Sequence, residues 1–589
     1  MPLNLFGICL GIGLIVSLSN IIFLYNVAPH FIDFTDEGFY LNLISDPYAF
    51  DGRVTRFAEL ISWLFHWLSG NLVSFRRIVL SALVLISFAF TLFSIRLNRQ
   101  VLSRVLGGRK NYILNEFTLA FVISNLSLFA VWPSLTPSYN YINYLSMLLF
   151  GVLLLRLDSE LPAYQQNSWI FSLNSGFLLS LPLVLIAYAK PTSYLLLALS
   201  VIVVCLFAST QLRKILYISL GLSVVIYLIC ALLFFGGDSN LLTDLQFSLY
   251  IIGTWKADSE ASITDYSFFS SLLRLIPNKT NLASFLFASA FAFFTQNTTR
   301  CRARLTLIFI SILSIFLSLF LWFSANVYLP LISDSCKIFN NYFAQFLLPF
   351  IGFYFLSSII FDFNPISSIR RLFRFKFAAP FIDKRLSNRP NDLSRFSLGL
   401  PQINNTHLIT ALLVVLPCAF AFSSTNGFVA FASLGSLFIV LAFFRIINSC
   451  FLDTDEVLRS SHPNYLFVSI LLIPLLICLQ LTNVFSVCPF PPGYQRALSE
   501  QQVSTAISSN TTLFLSKERS TYVDSLRSVL SSAGFHNGNH ILDLTGNSPG
   551  LVYAVGGKAI GWPWIHDVYP NSTRSNQILG FYFYLFYWF

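Results

Sequence analysis

Leu5-Phe-Gly-Ile-Cys-Leu-Gly-Ile-Gly-Leu-Ile-Val-Ser-Leu-Ser-Asn-Ile-Ile-Phe-Leu-Tyr-Asn26 runs without a single charge, and shortly after it the chain reads Phe31-Ile-Asp33-Phe-Thr-Asp36-Glu37-Gly-Phe-Tyr40. About 20 apolar residues in a helix cross the hydrocarbon core of a bilayer. No lysine or arginine precedes the run and no small-residue cleavage site follows it. A retained first span is therefore expected, not a signal peptide. Three carboxylates lie directly behind that span.

The rest of the chain repeats the apolar pattern. Of its 589 residues, 55% are hydrophobic and only 11% are charged, with a mean hydropathy of +0.69. Soluble proteins carry roughly 25% charged residues, and a water-soluble chain of this size has too much surface for so few charges. Soluble globular, disordered and coiled-coil classes are excluded. The fold class expected is an α-helical polytopic membrane protein of about 13 spans, with windows near 4–27, 73–95, 114–133, 141–156, 168–189, 192–210, 215–235, 281–298, 305–325, 341–361, 406–422, 428–446 and 464–485.

The net charge of +10 does not point to nucleic acid, because the basic residues lie between the apolar runs in the pattern of the positive-inside rule. With the N-terminus cytoplasmic, 21 of the 36 basic residues fall on the inside, at 96–110, 156, 213–214, 300–304, 370–395, 445 and 459. Nine fall in outside loops, and six belong to a C-terminal region long enough to escape the rule. The expected organisation is a membrane domain over 1–485 and a small extracytoplasmic α/β domain over 486–589. Outer loops span 28–72 and 236–280, and a basic inner loop at 362–405 lies on anionic head groups. The nine cysteines form no framework: Cys9, Cys205, Cys230, Cys418 and Cys478 sit inside apolar segments as small hydrophobes.

Within the first outer loop, residues 55–69 read as an amphipathic helix too short and too polar to span. Phe57, Leu60, Ile61, Leu64 and Leu68 recur on one face, and Arg56, Glu59 and His66 lie away from it. Such a helix rests in the interface plane, with Trp63 and Trp67 near head-group level. The loop then holds its acids where a lipid head group sits.

An Asp-Glu pair just after a first span, followed by an interfacial helix, resembles the GT-C class of integral-membrane glycosyltransferases. The relatives it most resembles are the protein O-mannosyltransferase family (family 39), lipid A aminoarabinose transferase and Rgt-like bacterial sugar transferases. Pro137-Ser-Tyr139-Asn140, Ala189-Lys190-Pro191-Thr192 and Ser424-Thr-Asn-Gly427 add to the likeness, each on the expected outer side. It covers roughly the first 210 residues well and the remainder in outline.

The resemblance implies a polyprenyl-phosphate-linked sugar as donor and a hydroxyl of a glycan, lipid or protein as acceptor, in the plasma (inner) membrane of a bacterium. By motif position Asp36 is the base that takes the acceptor proton, and Glu37 orients it or the acceptor. One base opposite the leaving group gives inversion. Asp33 belongs to the substrate pocket and is the acid that would help hold a divalent cation, although three acids without other hard ligands do not specify a metal site. The leaving phosphate needs a fixed cation; Arg53, Arg56, Lys190, Lys256, Arg274 and Lys279 lie on the expected side, and Lys190, Arg53 and Arg56 are the ones chosen. Lys190 lies between two apolar spans, where an ammonium is costly unless paired, functional or snorkelling to the interface. Arg53 and Arg56 are open between this role and interface anchoring; Arg76 and Arg77 read as anchors of the second span. Tyr139 and Asn140 either bond a sugar or shape the outer turn.

In the tail, 517–535 reads as a helix, 540–545 as a buried strand and 546–550 as a turn leading into 551–555, without either glycine-rich phosphate-binding pattern. Three rivals remain. A polysaccharide polymerase or ligase would gather essential arginines in a large late outer loop. A transporter or flippase would place charges near mid-bilayer, often with inverted repeats; here the spans are almost uncharged and no repeat is visible. A structural scaffold would tolerate any change at Asp36, Glu37 and Lys190.

Overall fold

A computed structural model describes residues 2–48, 55–97, 112–131, 135–161, 169–234, 405–422, 434–442, 445, 498–508, 510–543 and 548–559. The windows at 281–298, 305–325, 341–361 and 464–485, the loops at 236–280 and 362–405, the motif at 424–427 and Arg53 lie outside them. The described chain is helical: α1 (Pro2–Val27), α2 (Asp36–Ser45), α3 (Phe57–Trp67), α4 (Leu72–Leu97), α5 (Tyr112–Ser124) continued by a 3-10 segment (Asn125–Val131), α6 (Tyr139–Glu160), α7 (Trp169–Ala189), α8 (Pro191–Phe207), α9 (Thr210–Phe234) and α10 (Asn405–Ala421). Among the described residues, five helices are long and apolar enough to cross a bilayer: Leu10–Val27 of α1, then α4, α6, α7 and Thr210–Leu233 of α9. On α1 the exposed residues Ile8, Ile12, Ile15, Leu18 and Ile22 recur every three or four positions, the stripe a lipid-facing helix presents.

Local chemistry sets several boundaries that hydropathy misses. α6 is longer than the 141–156 window because the Ser138 hydroxyl caps it, accepting from the Tyr141 N–H at 3.3 Å, and because Arg156 and Glu160 pair at 2.8 Å one turn apart at its far end. Pro191 stands at the first position of α8, where its missing N–H costs nothing. The third window, expected at 114–133, is only 13 residues of α-helix before the 3-10 segment begins. Asn125 marks the change: its Nδ2 donates to the Ser17 carbonyl (3.1 Å) and its Oδ1 accepts from Asn20 Nδ2 (3.0 Å).

Polar ties between helices collect at the two ends of the bundle, as expected where a water-free interior makes unpaired groups costly. At one end, Arg96 pairs with Glu116 (2.7 Å), Asn405 Nδ2 donates to Ser209 Oγ (2.9 Å), and Arg445 pairs with Asp158. At the other, Arg76 Nε donates to Thr136 Oγ1 (3.1 Å), the Arg56 N–H donates to the Tyr188 carbonyl (2.9 Å), and Lys190 reaches the end of α10. This end carries the acidic loop.

The helix α3 sits close to its expected bounds but is turned about its axis. Phe57, Ala58, Glu59, Ile61, Ser62 and Phe65 are buried, whereas Trp63 and Trp67 are 66% and 73% exposed. Arg56 and Glu59, expected away from the buried face, are buried against each other at 3.6 Å. The helix packs on α2 and α4, so its covered side is chosen by protein neighbours as well as by apolarity.

The C-terminal residues form a hairpin, β1 (Gln501–Ile507) with β2 (Thr511–Ser516), then α11 (Lys517–Ser532). A short parallel pair follows, β3 (His540–Ile541) with β4 (Lys558–Ala559), enclosing α12 (Pro549–Ala554). The helix expected at 517–535 is present, and the strand expected at 540–545 is reduced to two residues. The described part of this segment is bound to the chain between α1 and α4. The Phe31 N–H donates to the Phe514 carbonyl (3.0 Å), and the Phe514 N–H donates to that of Pro29 (2.8 Å). The Leu72 N–H donates to Thr511 Oγ1 (3.0 Å), and Lys558 pairs with Asp46 at 3.2 Å.

Candidate active site

The loop between α1 and α2 is built around one guanidinium. Arg76 of α4 is 2% exposed, and its five N–H groups meet five acceptors. Nε donates to Thr136 Oγ1 (3.1 Å); Nη1 to the carbonyls of Ala28 (2.8 Å) and His30 (3.2 Å); Nη2 to the Phe31 carbonyl (3.0 Å) and Glu37 Oε1 (2.5 Å). Thr136 Oγ1 donates to the same Glu37 oxygen, and Glu37 Oε2 accepts the Asp33 N–H at 2.9 Å. Arg76, expected to anchor a span, thus orders the acidic loop. Phe31 holds a left-handed φ of 62° within it, a conformation of order 1–3 kcal/mol above the ordinary one that persists only where the surroundings impose it.

This arrangement gives the three acids different surroundings. Glu37 is 2% exposed and turned into the Arg76 pair, so the structure places it in the loop's foundation. Asp33 accepts from the Thr35 N–H (3.0 Å) and hydroxyl (2.7 Å), a local turn of the kind short acids form. Asp36 opens α2 with its side chain exposed. Protein nonetheless lies around it on most sides, and this burial, followed by the neighbouring Asp33 charge, pushes its carboxyl up to about 6.

Aromatic rings stand beside it. Tyr40 lies edge-on to Phe57 (5.7 Å between centroids) and Tyr139 (6.0 Å), and Phe57 lies 6.3 Å from Tyr139. Burial, then Tyr139, Asp36 and Asp33, raise the Tyr40 hydroxyl well above its usual range, which keeps it a neutral hydrogen-bonding group. Asn140 presents a buried Oδ1 that accepts no hydrogen bond among the described residues.

The proposed cations are placed differently from the acids. Arg56 is 6% exposed and paired with Glu59. Lys190 is 5% exposed, in the one-residue turn between α7 and α8. Its Nζ donates to the Phe420 carbonyl at 2.7 Å and lies 5.8 Å from the Phe420 ring centroid. That carbonyl belongs to the last turn of α10, where helix carbonyls lack partners and a cation is favoured. Among the described residues no carboxylate pairs with Lys190, and burial pulls its ammonium down to about 7. Ser193 Oγ caps the adjacent Ala419 carbonyl (2.7 Å) and accepts from Asn143 Nδ2 (3.0 Å).

The structure therefore brings Tyr139, at the start of α6, beside Asp33, Asp36 and Glu37, and spends Arg56 and Lys190 on contacts of their own. Sequence reasoning missed Thr136, Tyr40 and Asn42. Thr136 borders the Pro137-Ser-Tyr motif, which was a usable signal; nothing local marks the other two. Among the described residues no group of three or more His, Cys, Asp or Glu side chains is placed to hold a metal ion. Comparison with protein-family models, with curated proteins and with solved structures returned no match.

Proposed function

We propose that this chain is an inverting membrane glycosyltransferase of GT-C type, moving a sugar from a polyprenyl phosphate to an acceptor hydroxyl on the outer face of a bacterial plasma membrane. The thirteen-span topology with a cytoplasmic N-terminus and an extracytoplasmic C-terminal domain belongs to the same reading. One observation carries it: of three clustered acids, Asp36 alone is exposed, its carboxyl raised to about 6, while its neighbour Glu37 is locked beneath it. A base works best with a pKa near the operating pH, and Asp36 is a stronger base than an ordinary aspartate while remaining mostly ionised at neutral pH.

In this reaction Asp36 takes the acceptor O–H proton as the oxygen attacks the anomeric carbon. The bond from that carbon to the phosphate oxygen breaks on the opposite side, and the polyprenyl phosphate departs with the electron pair. Tyr40 and Tyr139 supply rings of the kind sugars stack on, Asn140 an amide beside them, and Lys190 a candidate charge for the leaving phosphate. Asp33 and Glu37 hold the loop, and no metal is assigned a step.

The test is transfer from a synthetic polyprenyl-phosphate sugar in proteoliposomes. Asp36→Asn should abolish it while expression and insertion persist; an active Asn variant rejects the base. Accessibility labelling that puts residue 36 in the cytosol rejects the whole reading.

A further inference from the structure

The acidic helix is held from a second side, by residues more than 500 positions away. Gly38 and Gly550 meet backbone to backbone: a Cβ on Gly38 would lie 2.2 Å from the Gly550 Cα and N, and one on Gly550 would lie 2.6 Å from the Phe34 Cα. Real side chains do not approach so closely, so both positions demand glycine for space. The Gly550 N–H donates to the Phe34 carbonyl at 2.8 Å. Asn42, only 3% exposed, donates through Nδ2 to the Gly38 carbonyl on its own helix and to the Pro549 carbonyl of α12, both at 2.8 Å. Arg519 of α11 adds a bond to the Ile32 carbonyl (3.1 Å) and lies over the Phe31 and Phe34 rings at 5.0 and 5.7 Å. Asp36 to Phe39 form the first turn of α2, so what grips Gly38 also aims Asp36.

We propose that α12 is a clamp supplied in cis, and that Asn42 is a positioning residue that sets the direction of Asp36 through it. The catalytic half of this statement rests on the glycosyltransferase reading; the mechanical half does not. The C-terminal segment is then a working part of the site, and the acidic loop takes its geometry only with that segment docked.

The experiment uses the full-length chain in lipid nanodiscs, with Asn42→Ala as the mild variant and Gly550→Ala as the severe one. Hydrogen exchange reads the clamp: Asn42→Ala should speed exchange across 33–45 and 548–559 together, by roughly tenfold, since a buried carbonyl loses its partner. Kinetics read the positioning: kcat for the polyprenyl-phosphate sugar should fall roughly ten- to a hundredfold with KM unchanged, because a misaimed base costs rate and leaves donor binding intact. Should Gly550→Ala fail to fold, Asn42→Ala still decides. Faster exchange confined to 548–559 overturns the clamp. Faster exchange in both segments with kcat unchanged overturns the positioning role. A wild-type chain that transfers nothing overturns the glycosyltransferase reading and with it the positioning role, and the exchange measurement then decides the clamp by itself.

Discussion

Each end of the helix bundle contains a buried arginine–carboxylate pair, and the two are put to different uses. Arg76 places all five of its donors, three of them on loop carbonyls, and holds Glu37 under an exposed Asp36. Arg445 pairs with Asp158 and donates from Nε to Thr410 Oγ1 (3.1 Å), while its Nη1 has no hydrogen-bond partner among the described residues. Thr406 of α10 supports Asp158 at 3.0 Å. The second pair links residue 445 to α6, and Thr406 and Thr410 join both partners to α10. A buried ion pair is thus no signature of a site; what distinguishes the first is the irregular backbone it stabilises and the exposed acid beside it.

The largest effect should separate the ends outright. Asp36→Asn is expected to lower transfer by roughly 10²- to 10⁴-fold, the usual worth of a general base, whereas Asp158→Asn should leave turnover little changed. Comparable losses from both would erase the distinction.

The next contrast is in stability. Arg76→Ala leaves Glu37 buried and uncompensated, which costs about 3–5 kcal/mol. Arg445→Ala should cost less, because Asp158 is 10% exposed against 2% for Glu37, and Arg76 also holds three loop carbonyls. Thermal unfolding in detergent ranks the two, and the reverse order would contradict the account of the loop.

Lys190 sharpens the comparison because it caps α10 at the acidic-loop end. If it also reads the donor phosphate, Lys190→Met should raise KM for the donor roughly tenfold, in line with the loss of a charge-assisted contact. An unchanged KM with a lower melting temperature assigns it to the cap alone. Its ammonium is pulled from 10.5 to about 7, so the unfolded chain holds more protons between those values. Stability should then rise with pH through that window, and the substitution should flatten the rise.

The smallest effect concerns Asp36. Its folded pKa lies above the unfolded value, from 3.8 to about 6, so the folded chain binds the proton more tightly and stability falls as pH rises through that interval. Asp36→Asn should therefore raise Tm at pH 7 by up to about 2 °C, with the gain fading toward pH 4. A drop at pH 7 would mean that the acid supports the fold.

Much of this architecture was legible because membrane helices announce themselves locally. Apolar windows at 73–95, 168–189 and 215–235 correspond to α4, α7 and α9 within a few residues, and the helix at 55–69 follows from its spacing. Shorter windows were less faithful, since Ser138 extended α6 and Asn125 broke the third window by side-chain bonds that no hydropathy sum contains. The acidic triplet was legible as a cluster but not in its division of surroundings. Two adjacent residues, Asp36 and Glu37, have nearly the same chemistry, and the sequence offers no ground for burying one and exposing the other.

From the residues alone came the class of molecule, the position of its acids behind the first apolar helix and the short amphipathic helix that follows, because hydropathy and periodicity depend only on near neighbours. Tertiary structure decided which acid faces outward, which cation is already committed, and that Gly550 lies against Gly38. Those outcomes depend on partners such as Arg76, 39 positions from Glu37, and Pro549, 507 from Asn42, which only the folded chain brings within bonding distance.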